Sequence, residues 1–255
     1  MPGTPKLASA MQATLERRRD LVLLISLLFV ILIHPLLDQG VVRRSVLSVV
    51  TFAPLIAATV RMSQKRHMLR VLLSLVLGSG ICRILDFFYV SKFLIVLRWA
   101  LVTAAFGLSV LGLFSYLRKA SRVTTDHLYT ATSIYLLIGM TWYAMYSAIG
   151  TAYPQSFVLA SGLAHTQADL LYFSLITLTT VGYGDILPGS GTVRMLAALE
   201  AVTGILYVAT AVALLVSSYK QPQTDFSIDQ IQKEVDEKIK ALPSKSPFNS
   251  DADRP

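Results

Sequence analysis

Apolar residues occur along the chain in six long stretches that short polar segments separate. An α-helix needs about 20 apolar residues to cross the roughly 30 Å hydrocarbon core of a bilayer. The stretches are close to that length and cover residues 21–37, 41–60, 68–90, 93–117, 127–150 and 193–218. The pattern therefore predicts an all-α membrane protein with six transmembrane helices.

The composition agrees with a membrane location. Of the 255 residues, 54% are hydrophobic and 15% are charged, against about 25% charged in a typical soluble domain. These values exclude an ordinary soluble enzyme and a disordered protein. A disulfide-stapled secreted domain is excluded because Cys82 is the single cysteine. We attribute the net charge of +8 to basic residues that flank membrane segments, and we expect no nucleic-acid partner.

The loop charges predict the orientation, because cytoplasmic loops of membrane proteins are enriched in Lys and Arg. With both termini in the cytoplasm, the cytoplasmic segments hold Lys6, Arg17, Arg18, Arg19, Arg61, Lys65, Arg66, Arg70, Arg118, Lys119 and Arg122. The opposite side holds only Arg43, Arg44, Lys92 and Arg194. We therefore expect a multi-pass protein of the cell membrane with cytoplasmic N and C termini.

The segment between the fifth and sixth stretches fits neither a plain loop nor a full crossing. Residues 151–165 are typical of an extracellular turret. Thr166 and Asp169 are placed as a capping box, which predicts a helix over 167–178. Such a helix is too short to span, so we expect it to be re-entrant. Glycine-containing irregular backbone follows, and it is tolerated at membrane depth only when buried in protein or lining a watery cavity. The arrangement indicates a pore.

The irregular stretch reads Thr-Thr-Val-Gly-Tyr-Gly-Asp over residues 179–185. It resembles the selectivity filter of potassium channels, and the resemblance extends to Tyr135–Gly139, Tyr172–Ser174, Pro188 and the stretch 199–216. The chain is similar to bacterial six-transmembrane potassium channels with one pore loop per subunit. Gly182 and Gly184 suit the motif because glycine adopts positive φ without steric cost.

The resemblance implies the roles of the motif residues. Backbone carbonyls of Thr180, Val181, Gly182 and Tyr183, with the Thr180 hydroxyl, would replace the hydration shell of K⁺. Gly184 completes the filter, and Thr179, Asp185, Tyr172 and Glu200 would support it. One chain supplies one filter strand, so a ring of eight oxygens requires four copies. We therefore expect a homotetramer in a lipid bilayer, with K⁺ as the permeant ion and no cofactor.

One position departs from the family pattern. A pore-helix glutamate that pairs with the aspartate after the filter in several potassium channels is replaced here by Ile176. Asp185 then needs another partner, for which the Tyr172 hydroxyl is our candidate. The alternative is that Asp185 faces water at the pore mouth and concentrates cations.

The last apolar stretch contains the candidate gate. Gly204 aligns with the family's inner-helix hinge glycine, and the alternative is a small residue for close helix packing. Ile205, Val208, Val212 and Val216 follow helical spacing and would line the cavity, where they could gate by dewetting; part of this stripe could instead pack between helices. Glu200 lies in the outer half, so we expect a structural hydrogen bond to the pore helix, with proton sensing as the alternative.

The first four stretches lack the charges of a voltage sensor. The fourth, 93–117, contains Arg98 as its only charged residue. Moving one charge through 100 mV yields about 2.3 kcal/mol, so steep gating needs several charges per subunit. We therefore expect weak or absent voltage dependence. Arg83 and Asp86 are spaced for a local ion pair on one helix face, and a sensing role is the alternative.

The tail contains a short helix signal. Ser227 and Gln230 form a possible capping box, with Phe226 and Ile231 as a hydrophobic staple. Ile228, Ile231, Val235 and Leu242 suit a four-stranded bundle, while Lys238 interrupts that seam and makes a surface-lying amphipathic helix equally suitable. The predicted divisions are a cytoplasmic N-terminus (1–20), a four-helix transmembrane domain (21–122), a pore domain (123–219) and a cytoplasmic tail (220–255).

The sequence thus predicts a potassium-selective channel that conducts K⁺ passively. The alternatives are a potassium transporter subunit, although such chains usually carry several degenerate filter repeats, and a membrane sensor with a vestigial pore module. An enzyme is not expected, because the sequence has no metal-ligand cluster, nucleophile–base pair or phosphate-cradling loop.

Overall fold

The computed structural model of this chain describes residues 4–37, 50–58, 66–89, 91–118, 125–162, 164–218 and 228–241. The helices within these ranges are α1 Thr4–Leu37, α2 50–58, α3 Arg66–Phe88, α4 Lys92–Leu117, α5 Thr125–Ala152, α6 Gln167–Leu178, α7 Gly191–Ser218 and α8 Ile228–Ala241. A 3₁₀ turn at Pro154–Ser156 leads into strand β1, Phe157–Leu159, and strand β2 is Ile186–Pro188.

Four described helices are long and apolar enough to cross a membrane. Their spans are Asp20–Leu37, His67–Asp86, Lys92–Leu117 and Gly191–Leu214. They match four of the predicted stretches closely, so the prediction of a helical membrane protein is confirmed. Of the predicted second stretch, 41–60, only 50–58 lies within the described residues, and it is helical there.

Helix α5 covers the predicted fifth stretch with 28 residues, about 42 Å at the usual helical rise. It is more polar than the four spans because several hydroxyl-bearing residues lie along it. Thr130 and Ser147 are fully buried by neighbouring elements, and their hydroxyls donate to the carbonyls of Asp126 and Tyr143, 2.9 Å away in each case. The helix thus satisfies its own polar groups, and it packs against α1, α4, α6 and α7 at the centre of the subunit.

The N-terminal helix begins earlier than the apolar pattern predicts. Helix α1 starts at Thr4, whereas its apolar span starts at Asp20. Hydropathy identifies only the membrane-crossing part of a helix. The same helix can extend into water, because its backbone hydrogen bonds do not require apolar side chains. The preceding Ala-, Leu-, Glu- and Arg-rich segment consists mostly of good helix formers.

Two predicted local features are confirmed. Thr166 caps α6 through its side chain, which accepts from the Asp169 backbone N–H, while the Asp169 carboxylate accepts from the Thr166 N–H. Arg83 Nη1 lies 3.3 Å from Asp86 Oδ2 one turn along α3.

A small sheet beside the 179–185 segment was not predicted. Strands β1 and β2 pair antiparallel, with Phe157 opposite Pro188 and Leu159 opposite Ile186. Residues 151–165, predicted as a turret, therefore contain the end of α5, a 3₁₀ turn and a strand. Three residues are too few to show the alternation that identifies a strand in sequence, so the otherwise all-α prediction missed this pair.

The described residues fall into two compact units. The first extends to Ser218 and contains α1 to α7, and the second contains α8. In α8, Lys238 Nζ pairs with Glu234 Oε1 at 3.1 Å on an exposed face. The predicted capping box and staple involve Phe226 and Ser227, which lie outside the described residues.

Candidate functional site

The residues after α6 fold back along the end of that helix. The Thr180 N–H donates to the Thr177 carbonyl at 2.9 Å, and the Val181 N–H donates to the Ile176 carbonyl at 2.8 Å. The Gly182 N–H shares the Ile176 carbonyl at 3.2 Å. These bonds hold the start of the 179–185 segment against the helix terminus through the N–H groups of Thr180, Val181 and Gly182.

The backbone of this segment alternates in handedness. Thr180, Gly182 and Gly184 have positive φ, at 59°, 51° and 80°. Within the described ranges Thr180 is the only non-glycine residue in that conformation, which is rare for a β-branched residue. Such an alternation reverses the turn of the chain at each residue, so that successive carbonyls can point to the same side of the strand.

The side chains between these positions are uncovered in the single subunit. Val181 is 51% exposed and Tyr183 is 73% exposed. Both side chains therefore lie on the surface of the described chain.

The outer end of the segment is tied to the small sheet. The Ala160 N–H donates to the Asp185 carbonyl at 2.8 Å, directly beyond the β1–β2 pair. The Tyr172 side chain on α6 lies beside the Asp185 carboxylate, so the structure brings together the two residues that the sequence analysis paired. Thr179 is placed differently, since its hydroxyl donates to the Leu175 carbonyl at 2.7 Å within the helix.

Glu200 is the most deeply buried acidic residue near this site, with no exposed surface. The Tyr146 hydroxyl on α5 donates to its Oε2 at 2.7 Å, and the Ser174 hydroxyl on α6 lies 2.6 Å from its Oε1. Ser174 Oγ also lies 2.8 Å from the Gly139 carbonyl oxygen. The carboxyl group therefore joins α5, α6 and α7 behind the 179–185 segment.

The Ser174 hydroxyl lies close to two oxygen atoms, and this constrains where the hydrogens lie. This hydroxyl carries one hydrogen but lies within hydrogen-bonding distance of two oxygens, Gly139 O and Glu200 Oε1. Both contacts are satisfied together when Glu200 supplies a proton and Ser174 donates to Gly139.

Gly204 lies on α7 against the end of α6. A Cβ added to it would collide with the carbonyl oxygen of Leu178, the last residue of α6. The Tyr135 hydroxyl on α5 donates to the same oxygen at 3.3 Å. Helix α7 runs without interruption through Gly204, so close packing is the role that its surroundings explain directly.

The apolar stripe beyond Gly204 is uncovered in the subunit. Ile205, Val208, Val212 and Val216 are each about half exposed or more. They share one side of α7, which agrees with the helical spacing read from the sequence and leaves this side available to line a cavity or to meet another copy.

The sequence analysis expected a hydrogen bond from Glu200 to the helix over 167–178, where Ser174 lies, but it named neither Ser174 nor Tyr146 as the partner, nor the anchor of α7. Tyr207 Oη donates to the Ala131 carbonyl of α5 at 2.6 Å, and Tyr146 holds Glu200. A general signal was available, because a tyrosine inside an apolar helix needs a hydrogen-bond partner for its hydroxyl. The identity of that partner depends on tertiary packing.

The comparisons with known proteins fall on this part of the chain. Residues 131–221, which contain most of α5 and all of α6 and α7, match the family model described as an ion channel. Together with the potassium channel relatives below, this match supports a potassium-channel pore module in a multi-pass membrane protein.

Three relatives illustrate the similarity. Two pore potassium channel c of Oryza sativa subsp. japonica is 33% identical over 91 residues, covering 36% of this chain and 18% of the relative. Two-pore potassium channel 4 of Arabidopsis thaliana is 35% identical over 65 residues, covering 26% and 23%. The human delayed-rectifier potassium channel regulatory subunit KCNS3 is 35% identical over 75 residues, covering 28% and 15%.

The similarity is thus local, since the chain spans about a fifth of the length of these curated relatives. No solved structure matches the chain significantly.

Proposed function

We propose that this chain is one subunit of a homotetrameric potassium-selective channel that conducts K⁺ passively across the cell membrane. The observation that carries the proposal is the alternation of positive φ at Thr180, Gly182 and Gly184 within a complete Thr-Thr-Val-Gly-Tyr-Gly-Asp motif. In this proposal the carbonyls of Thr180, Val181, Gly182 and Tyr183 replace the water around K⁺.

The assembly follows from the single motif in each chain. Coordination of a dehydrated ion from all sides needs several strands around one axis, and closed rings are the usual symmetry of soluble and membrane homo-oligomers. The uncovered side chains of Val181 and Tyr183 and the uncovered side of α7 support contacts between four copies. Ile205, Val208, Val212 and Val216 would then line the inner cavity or pack between copies.

In the membrane, the proposed subunit has six transmembrane helices, with α6 as a re-entrant pore helix between the fifth and the sixth. The short length of α6, its capped start and the irregular backbone after it support this arrangement. The distribution of basic residues favours cytoplasmic N and C termini. The tail helix α8 would then lie in the cytoplasm, either in a tetrameric bundle or on the membrane surface.

Voltage dependence is proposed to be weak or absent. Helix α4 carries Arg98 as its only charged residue between Phe93 and Leu117, and its guanidinium lies over the Trp99 ring, 4.7 Å from the centroid. One such charge per subunit supplies little of the energy that steep voltage gating requires.

The rival functions are a potassium transporter subunit and a sensor with a vestigial pore. Neither explains why all five residues of the filter and both left-handed glycines are retained. Flux distinguishes them, because a channel dissipates a K⁺ gradient rapidly without a coupled ion, while a vestigial module conducts nothing.

The test is K⁺ flux from proteoliposomes that contain the purified tetramer, with sodium as the competing ion and barium as the blocker. Gly182→Ala should abolish selective flux, because a Cβ in the left-handed region costs about 1–2 kcal/mol in each strand. The matched control is Gly80→Ala in α3. A Cβ meets nothing within 4 Å at either glycine, but only Gly182 has positive φ. Normal K⁺-selective flux in Gly182→Ala would overturn the filter assignment.

A further inference from the structure

A cavity of about 340 Å³ lies among α2, α3, α4 and α5 at the start of α6. Its lining includes Arg83 and Asp86 of α3, Arg98 and Trp99 of α4, Tyr143 of α5 and Gln167 of α6. The volume lies in the range of small-ligand sites. The cavity is separate from the 179–185 segment, and none of the roles assigned above uses it.

The charged groups of this lining are unbalanced among the described residues. Asp86 pairs with Arg83 at 3.3 Å, so one carboxylate faces two guanidinium groups. His165 also lines the cavity, and burial lowers its pKa while Asp169 acts in the opposite direction. This direction does not favour the charged form of His165, so among the described lining residues the two guanidinium groups outnumber the one carboxylate.

Arg98 is the source of that excess. Its Nε is buried and has no hydrogen-bond partner in the part of the chain that the structure describes. Its guanidinium carbon lies over the Trp99 ring, 4.7 Å from the centroid. An arginine inside a membrane domain is costly unless anions, carbonyls or water meet it, and a guanidinium presents a rigid fork of donors that matches two oxygens of one anion.

We propose that this cavity binds a phosphate oxyanion, with Arg98 as its principal ligand. The phosphate comes either from a lipid headgroup or from free phosphate in solution. Gln167 contributes a side-chain amide, and Trp99 covers the arginine from one side. Asp86 opposes the anion and limits its affinity. The proposal does not depend on the channel function, because it concerns the packing of α3, α4 and α5.

The first test uses the purified full-length protein in a zwitterionic detergent. Inorganic phosphate is titrated at constant ionic strength against chloride, and tryptophan emission is recorded, because Trp99 contacts Arg98 directly. We expect saturable quenching or enhancement. Arg98→Gln should weaken the apparent affinity about tenfold or more, since charged hydrogen bonds contribute about 1.5–3 kcal/mol and 1.4 kcal/mol is a factor of ten. The matched control is Arg118→Gln, at the other end of α4, which should leave the affinity unchanged.

A second variant keeps the proposal testable if Arg98→Gln fails to fold. Asp86→Asn removes the opposing carboxylate, so it should tighten phosphate binding severalfold. A purely structural role for the Arg83–Asp86 pair predicts weaker binding or none, and that result would overturn the proposal.

The second arm replaces free phosphate with vesicles. The protein is reconstituted in phosphatidylcholine alone and in phosphatidylcholine with phosphatidylglycerol, and the same emission is recorded for wild type, Arg98→Gln and Arg118→Gln. A change seen only with phosphatidylglycerol, and lost in Arg98→Gln alone, identifies a lipid headgroup as the source. A response to free phosphate with no lipid effect identifies the soluble anion. No Arg98-dependent response in either arm would overturn the proposal.

Discussion

Gly204 of α7 lies directly against the Leu178 carbonyl oxygen at the end of α6, in a position where any Cβ would collide with that oxygen. The contact joins α7 to Leu178, the residue immediately before the 179–185 segment. The position of the proposed filter thus depends on Gly204 of α7 having no side chain.

This contact predicts that Gly204→Ala destabilises the protein. The Leu178 backbone cannot move aside as a flexible side chain would, so α6 and α7 must separate. We expect this to lower the free energy of unfolding by about 1–3 kcal/mol, as at other overpacked sites. Thermal unfolding of the purified protein measures the effect. Gly107→Ala is the matched control, because a Cβ there meets Thr141 Cγ2 at an ordinary 3.8 Å. A Gly204→Ala protein as stable as wild type, with altered open probability, would favour the hinge role instead.

We expect substitutions at Glu200 to lower the stability of the protein to different degrees. Glu200→Ala removes the buried acceptor of the Tyr146 hydroxyl and the group that donates to Ser174 Oγ, and an unsatisfied buried group costs about 1–3 kcal/mol. Glu200→Gln keeps an acceptor and a donor of the same size, so it should retain most of the stability and the flux. Unfolding midpoints of Glu200→Gln, Tyr146→Phe and the double variant form a double-mutant cycle for the Tyr146–Glu200 hydrogen bond. Strong loss of function in Glu200→Gln with intact stability would support proton sensing.

His165 predicts a pH dependence of stability. Burial lowers its pKa below the ordinary value, and Asp169 only partly offsets this. The unfolded state therefore binds more protons than the folded state as pH falls through about 6.5. Stability conferred by neutral His165 is complete above that pH and is lost progressively between it and the lower folded pKa. Unfolding midpoints at pH 7.5 and pH 5.5 should differ less in His165→Gln than in wild type. His67→Gln, at an exposed residue of α3, should keep the full difference.

Voltage steps across a bilayer with the reconstituted protein test the role of the first four helices. Conductance should change little with voltage, because Arg98 is the only charged residue between Phe93 and Leu117 of α4 and several gating charges per subunit are needed for a steep response. Arg98→Gln should leave the conductance–voltage relation flat. An e-fold rise within a few millivolts in the wild type would refute this prediction.

Much of the local structure over residues 166–185 could be predicted because its signals are local. The Thr166–Asp169 capping box, the 12-residue helix and the glycine spacing are each contained within a few residues of sequence. The apolar pattern gave four spans for the same reason, since hydropathy depends on neighbouring residues alone.

What could not be predicted depends on contacts between distant residues. Tyr146 and Ser174 lie 54 and 26 residues from Glu200, and no pattern along the chain pairs them. The β1–β2 pairing joins segments on either side of α6, and each strand is three residues long. Gly204 could be assigned as a small residue, but its neighbour Leu178 emerged only from the packing of α6 against α7.

In the proposed channel the backbone of residues 180–183 replaces the hydration shell of K⁺ but not that of the smaller Na⁺. The reversal potential of the reconstituted tetramer, with K⁺ on one side of the bilayer and Na⁺ on the other, tests it most directly. We expect a reversal potential displaced strongly toward the K⁺ equilibrium value and a barium-sensitive current. A reversal potential near zero, with Na⁺ carried as readily as K⁺, would contradict it.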